Sequence, residues 1–336
     1  MKAAYYRGNK GLAAEPSEAI APAAGEVRLN VAYCGVCGTD MHIYHGNMDA
    51  RVAKPQIIGH EVSATVAEIG AGVENVSVGD TVAVRPLKFG APEDFDKGFS
   101  HVGKNLKFIG IDLPGGMQSS WTVPSYTLHK LGGLSLEHGA MIEPAAVACH
   151  DVRLGEVKDG EICVVIGGGP IGILIALVAR EKGARVIVSE PNDTRIELIR
   201  GLGFEAVNPI SANLVDTVRE LTNGKMADCV FEVSGSAPGV EVMTELPNVR
   251  GRIVMVAIHP QPRPVNLFKF FWSELKLIGA RLYEECDFDE AIALAATGKL
   301  QLDKLITEIR PLEEVGEAFA AIDANPAGIK TLIKCG

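Results

Sequence analysis

The stretch 161–190, EICVVIGGGPIGILIALVAREKGARVIVSE, leaves few folds open. An apolar run leads into a glycine-rich turn, a second apolar run follows, and β-branched residues then resume and end on an acid. That order predicts a strand, a tight turn, a buried helix and a second strand, which together make one βαβ unit. The alternation continues with RIELIRGLG as a helix and DCVFEVS, GRIVMVAI and ELKLIGAR as strands. A doubly wound parallel sheet over residues 151–285 is therefore expected. From about residue 25 to 130 the pattern changes to short β-branched runs broken by Gly, Pro and Asp, such as EVRLNVAYC, SATVAEIG, DTVAVRP and SSWTVP. These read as short strands with turns, hence a mostly β domain. After residue 285 come two helical patterns and a last strand, IKTLIKC. The chain is expected to be an α/β protein of two domains, and its 336 residues are enough for each to bury a core.

Within the βαβ unit, Gly167, Gly169 and Gly172 form the spacing GxGxxG, with Pro170 and Ile171 opening the helix and Glu190 ending the second strand. The spacing alone is weak, but strand, helix and an acid about 20 residues onward supply the context of a dinucleotide site. Glycine lets the pyrophosphate approach backbone N–H groups at the start of a helix, where the helix dipole favours negative charge. Glu190 can accept hydrogen bonds from the adenosine ribose hydroxyls and repels a 2′-phosphate, which favours NAD over NADP. Arg195 lies where a 2′-phosphate is sometimes held and pulls the other way. The competing reading is a tight turn with Glu190 as a solvated strand end.

Bulk properties exclude other classes. A formal charge of −10 and the lack of a Lys/Arg cluster give no footprint for nucleic acid or anionic lipid. The longest apolar run, IGILIALVA, is far shorter than the roughly 20 residues that span a bilayer, and MKAAYYRGNKGL lacks a signal-peptide core. Seven scattered cysteines suit a reducing compartment better than a disulfide framework. A cytoplasmic protein with a small-molecule substrate is expected.

The segment YCGVCGTDMHIYHG, residues 33–46, admits a redox pair, a metal site or two packed thiols. IIGHE and IEPAAVACH offer partners, so that Cys37, His60, Glu61 and Glu143 supply a thiolate, an imidazole and two carboxylates. Such a mixed set suits zinc with a position left open for substrate. A thioredoxin-like pair would explain neither His60 nor Glu143.

Taken with these residues, GVCGTDMH, GHEVSATVAEIGAGVENVSVGDTV, EPAAVACH, VIGGGPIG and FEVSG occur in an order that resembles the zinc-dependent medium-chain dehydrogenase/reductase family. The likeness covers essentially the whole chain and is closest to the branch of polyol, threonine and sugar-acid dehydrogenases. It implies a GroES-like catalytic domain made of residues 1–150 and 286–336 beside a Rossmann domain over residues 151–285, and a catalytic zinc on Cys37, His60 and Glu143. Glu61 would bind the ion directly or exchange with water, and Cys34 would be a packed strand residue. It also implies that Thr39 and His42 relay the substrate proton, with a water chain from Glu143 as the rival route. For Thr39 and Asp40, helix capping is the competing role. His45 and His150 are expected to be structural.

The expected reaction is oxidation of a secondary alcohol of a polyol or sugar acid by NAD, giving a ketone. L-threonine 3-dehydrogenase activity is the enzymatic alternative, and a non-catalytic nucleotide-binding protein the alternative of another class. A homo-oligomer, tetramer or dimer, is implied through edge strands near GRIVMVAIHP and WSELKLIGA. Residues 85–108, where many relatives hold a structural zinc on four cysteines, contain no cysteine. One catalytic ion per chain and no structural zinc are expected, with Glu93, Asp94, Asp96 and His101 read as a solvated face.

Overall fold

The apolar runs of the second half assemble into an all-parallel sheet of six strands. Its spatial order is Glu205–Val207, Arg185–Ser189, Ile162–Ile166, Ala227–Glu232, Pro247–Met255 and Lys276–Gly279. The order turns back at Ile162–Ile166, so the topological switch lies between that strand and Ala227–Glu232. In open sheets of this kind, ligands bind outside the carboxyl ends of the strands at such a point. Val164, Ile187, Val230 and Ile253, one from each of four central strands, are fully buried. The helix Pro170–Glu181 is buried from Gly172 through Ala179, as its unbroken apolar sequence requires. Pro170 sits in its first turn, where no hydrogen bond is lost. Helices Asp193–Gly201 and Leu214–Leu221 start at Asn192 and Asn213, whose side chains accept from Arg195 N–H and Asp216 N–H.

We describe residues 1–91 and 97–336 from a computed structural model. The chain divides into two compact units, Met1–Glu143 with Phe288–Gly336, and Pro144–Asp287. The expected boundary at 150/151 and the edge of the compact unit at Glu143 both fall inside one helix, Ile142–Leu154. Because that helix is continuous, no loop or change of composition marks the passage.

In the first unit the main sheet runs Leu128–Lys130, Thr81–Val84, Glu61–Ile69, Glu26–Gly35, Lys330–Lys334, Ile306–Pro311, with Ser120–Pro124 also paired to Glu26–Gly35. Strict alternation explains the long strand. Val27, Leu29 and Val31 are buried, whereas Arg28 and Asn30 between them are not. Lys330–Lys334 lies antiparallel to Glu26–Gly35 and parallel to Ile306–Pro311. A smaller sheet joins Leu12–Pro16, Lys2–Tyr6 and Gln56–Ile57, two of whose strands precede the point where the sequence signal begins. No helix among the described residues is long and apolar enough to cross a membrane.

Candidate metal and cofactor sites

Cys37 is the N-cap of the short helix Gly38–Tyr44. Asp40, fully buried in the first turn, accepts the Cys37 backbone N–H through Oδ2 at 3.0 Å. Its capping role is thus real, exercised from inside the helix. The other carboxylate oxygen, Oδ1, lies 3.6 Å from His60 Nδ1, and neither buried atom has a hydrogen-bond partner. The ring stands edge-on to Phe108, with centroids 5.1 Å apart. With Nδ1 turned toward Asp40, Nε2 remains for a ligand, the usual arrangement of a metal-binding imidazole and its orienting carboxylate. Burial lowers the His60 pKa, but the Asp40 carboxylate and the Cys37 thiol outweigh it and leave it well above the usual histidine value.

Donor atoms of Cys37, His60 and Glu61 lie within 4.8 Å of one another. Glu61 follows His60 directly and opens the strand Glu61–Ile69. Both of its oxygens contact Lys330 Nζ, at 2.8 and 2.7 Å, and the same ammonium donates to Val36 O at 3.1 Å. Burial opposes the charge on Lys330, yet Glu61, Cys37 and Glu143 together hold its pKa above the ordinary lysine value. Glu143, 5% exposed in the first turn of Ile142–Leu154, stands outside the 4.8 Å set but within electrostatic reach of the same ammonium.

A thiol, an imidazole and a carboxylate converging within 4.8 Å, the last two buried, fit a divalent zinc ion. Thr39 and His42 stand three apart on the helix Gly38–Tyr44 and so share a face, Thr39 half-buried and His42 exposed. Cys34 is buried on its strand. His45 pairs with Asp323 at 2.8 Å.

At the carboxyl end of Ile162–Ile166 each glycine has its own reason. Gly167 has φ +108°, a conformation that side chains rarely adopt, and a Cβ on Gly172 would lie 1.9 Å from the Gly167 carbonyl oxygen. Gly169 differs: a Cβ there would meet only Arg195 Nη1, at 4.0 Å, so space is open above the start of the helix. Tight turn, open approach and close helix packing are the requirements of a pyrophosphate cradle. Glu190, 3% exposed, accepts Gly168 N–H at 2.8 Å through Oε2 and Asn192 N–H at 2.9 Å through Oε1. It is a buried brace of the turn rather than a solvated strand end. Arg195 Nη1 is 3.9 Å from Glu190 Oε2. Pro170 and Ile171 open the helix over this turn.

Beyond the end of Pro247–Met255 a cavity of about 390 Å³ is lined by Val240, Met255, His259, Gln261, Arg263 and Val265. His259 Nε2 lies 3.0 Å from Glu232 Oε2, and the other Glu232 oxygen accepts Ser234 N–H at 3.0 Å. Another trio of donors, His150, Glu284 and Asp287, is filled from within the chain. Arg153 holds Asp287 at 2.8 and 2.9 Å, contacts Glu284 and approaches His150 Nδ1 at 3.1 Å, so a guanidinium stands where a cation would. Of the acidic run in the cysteine-free loop, Glu93, Asp94 and Asp96 lie outside the described residues. His101 is buried in the turn Ser100–Val102, not solvated as expected.

Sequence reasoning missed Lys330, Gly35 and the second role of Asp40. Asp40 carried a usable signal, an acid three residues after a candidate ligand. Lys330 carried none, being 269 residues from Glu61.

The chain matches the alcohol dehydrogenase GroES-like domain over residues 23–133 and the zinc-binding dehydrogenase domain over residues 170–297. It is 54% identical to 2-dehydro-3-deoxy-L-galactonate 5-dehydrogenase of Pseudoalteromonas atlantica, covering 100% of this chain and 99% of that one. Two solved structures superpose with TM-score 0.92 at 27% identity over 99% of this chain. One is a zinc-binding dehydrogenase of Sinorhizobium meliloti bound to NADP, of which 98% is covered, and the other an alcohol dehydrogenase of Escherichia coli complexed with NADH, of which 99% is covered. Further curated relatives are butanediol, sorbitol and threonine dehydrogenases. With donors of the right chemistry in one unit and a dinucleotide turn in the other, the chain belongs to the zinc-dependent medium-chain dehydrogenases, as a sugar-acid or polyol dehydrogenase using zinc and a nicotinamide cofactor.

Proposed function

We propose that the protein oxidises the C5 hydroxyl of 2-dehydro-3-deoxy-L-galactonate, or of a sugar acid of the same class, with NAD. The observation that carries this reading is the buried meeting of Cys37, His60 and Glu61 in a chain 54% identical, end to end, to a dehydrogenase of that substrate. The threonine dehydrogenase relative is 33% identical, which favours the sugar acid. Glu190 supports NAD, since a buried carboxylate at the strand end repels a 2′-phosphate.

One zinc per chain would be held by Cys37, His60 and Glu143, with Glu61 beside it. Zinc, when bound, supplies Lewis acidity to the substrate hydroxyl, and NAD accepts the hydride. Asp40 holds the Cys37 backbone by a hydrogen bond and faces the His60 ring at 3.6 Å, and Phe108 stands edge-on to the imidazole. Thr39, half-buried, would take up the hydroxyl proton and exposed His42 would release it to solvent, with the nicotinamide ribose as the link between them. The secondary alcohol thus loses a hydride and a proton and becomes a ketone.

A homo-oligomer is part of the reading. Leu267, Phe268, Phe271 and Trp272 on the helix Leu267–Ser273 are 73, 62, 80 and 72% exposed, beside the edge strand Lys276–Gly279. An apolar patch next to an open strand edge is covered when a second copy docks.

The test is turnover by metal-stripped and zinc-reloaded protein with NAD and with NADP, against 2-dehydro-3-deoxy-L-galactonate, aldonates, sorbitol and L-threonine. Zinc-dependent reduction of NAD by the deoxy sugar acid, with the highest kcat/KM of the panel, is expected. Turnover that survives metal removal, or of threonine alone, overturns the reading.

A further inference from the structure

Glu61 and Lys330 meet across a strand, and the strand between them is shaped for it. Glu61 pairs with Gly35, and Gly35 in turn pairs with Leu332. Lys330, two residues before Leu332, shares its face of the sheet. The Glu61 carboxylate therefore crosses above Gly35 to reach the ammonium. A Cβ on Gly35 would lie 2.1 Å from Glu61 Oε2, so no other residue leaves the passage open. Both side chains are almost fully buried, at 2 and 1% exposure, so water competes for neither.

We propose that Lys330 is a positioning residue that holds Glu61 across Gly35 and off the zinc, and thereby keeps one coordination position free for the substrate hydroxyl. This rests on the assignment of zinc to Cys37, His60 and Glu143. Sites closed by four protein ligands are structural, whereas catalytic sites have three and an opening. Glu61 has a donor within 4.8 Å of those of Cys37 and His60, which makes it an available fourth ligand. What withholds it is a buried cation that takes both of its oxygens. Without Lys330, the carboxylate loses the cation that takes both of its oxygens, and binding to the nearby metal closes the site.

The experiment uses the full-length protein with cobalt(II) in place of zinc and azide as the probe of an open position. Wild-type cobalt protein is expected to change its visible absorption on azide addition. Lys330→Met should bind azide about 10–100-fold more weakly and release its metal to a chelator more slowly, since an added carboxylate ligand tightens the site. Lys330→Arg should retain the azide response. The double variant Lys330→Met/Glu61→Gln should regain it, a rescue that simple loss of packing does not give. Gly35→Ala, which pushes the carboxylate aside with Lys330 intact, should resemble Lys330→Met and serves if that protein does not fold. An azide response equal to wild type in Lys330→Met or Gly35→Ala, or one not restored in the double variant, overturns the proposal. Failure of the wild type to bind cobalt would instead remove the zinc assignment beneath it.

Discussion

Glu190 offers a sharp test because it has two separable duties. Replacement by alanine removes the acceptors of Gly168 N–H at 2.8 Å and Asn192 N–H at 2.9 Å, in a place where only 3% of the residue meets solvent. Hydrogen bonds to a charged group contribute about 1.5–3 kcal/mol each, and removing a buried carboxylate returns part of its desolvation cost. A net loss of about 3 kcal/mol follows, or roughly 10 °C in the midpoint of a unit of this size. Glu190→Gln keeps one acceptor on the side chain and should lose about half as much. This loss is independent of cofactor and is read by calorimetry of the cofactor-free protein. The second duty appears in titrations: NAD should bind about 10–100-fold more weakly to Glu190→Ala, while NADP, freed from repulsion, should weaken less or gain. A variant that melts with the wild type refutes the bracing of the turn. An unchanged ratio of NAD to NADP affinity refutes recognition of the ribose.

Three further outcomes are expected. A chromogenic thiol reagent should find one accessible cysteine in the zinc-loaded protein, exposed Cys286, which reacts more slowly than a free thiol because partial burial and Asp287 push its thiol pKa up, and a second after chelation, half-buried Cys37, while the five buried thiols stay silent until unfolding. Burial raises the Asp287 pKa, but hydrogen bonds from His150, Arg153 and Glu284 N–H outweigh it and hold the carboxyl well below its usual range. Its stabilising contribution is complete above the unfolded value, ~3.9, and fades as pH falls toward the folded one, so the deficit of Asp287→Asn, about 3 kcal/mol, should be constant from pH ~8 to ~5 and narrow below ~4. Finally, Phe271→Glu with Trp272→Glu should shift the mass measured by light scattering toward a single chain of 35.6 kDa; an unchanged mass would place the subunit contact elsewhere.

What could be read from the sequence was local in the chain. The glycine turn, its strand and its helix lie within 30 residues, and each announces itself by period or by a missing side chain. Cys37 and the pair His60 and Glu61 were legible as residue types, and the fold draws their donors together. The pairing of Glu61 with Lys330 was not, because it depends on the register of three strands joined from distant parts of the chain. Nothing in the sequence singles out Gly35 among 37 glycines, and its use is visible only with a carboxylate lying over it. KAAYY and LAAEP, short and rich in alanine, gave too little alternation to betray the strands Lys2–Tyr6 and Leu12–Pro16.

The insertion of Lys330–Lys334 between Glu26–Gly35 and Ile306–Pro311 also imposes an order on synthesis. Pro144–Asp287 is continuous in sequence and can fold as soon as it emerges, whereas Met1–Glu143 waits for Phe288–Gly336. Throughout that interval the nascent sheet has a gap beside Gly35, and Glu61 has no cation across from it. On the proposal that Lys330 keeps Glu61 off the zinc, the cation that opens the site would be among the last parts of it to be made, 269 residues after the carboxylate it holds.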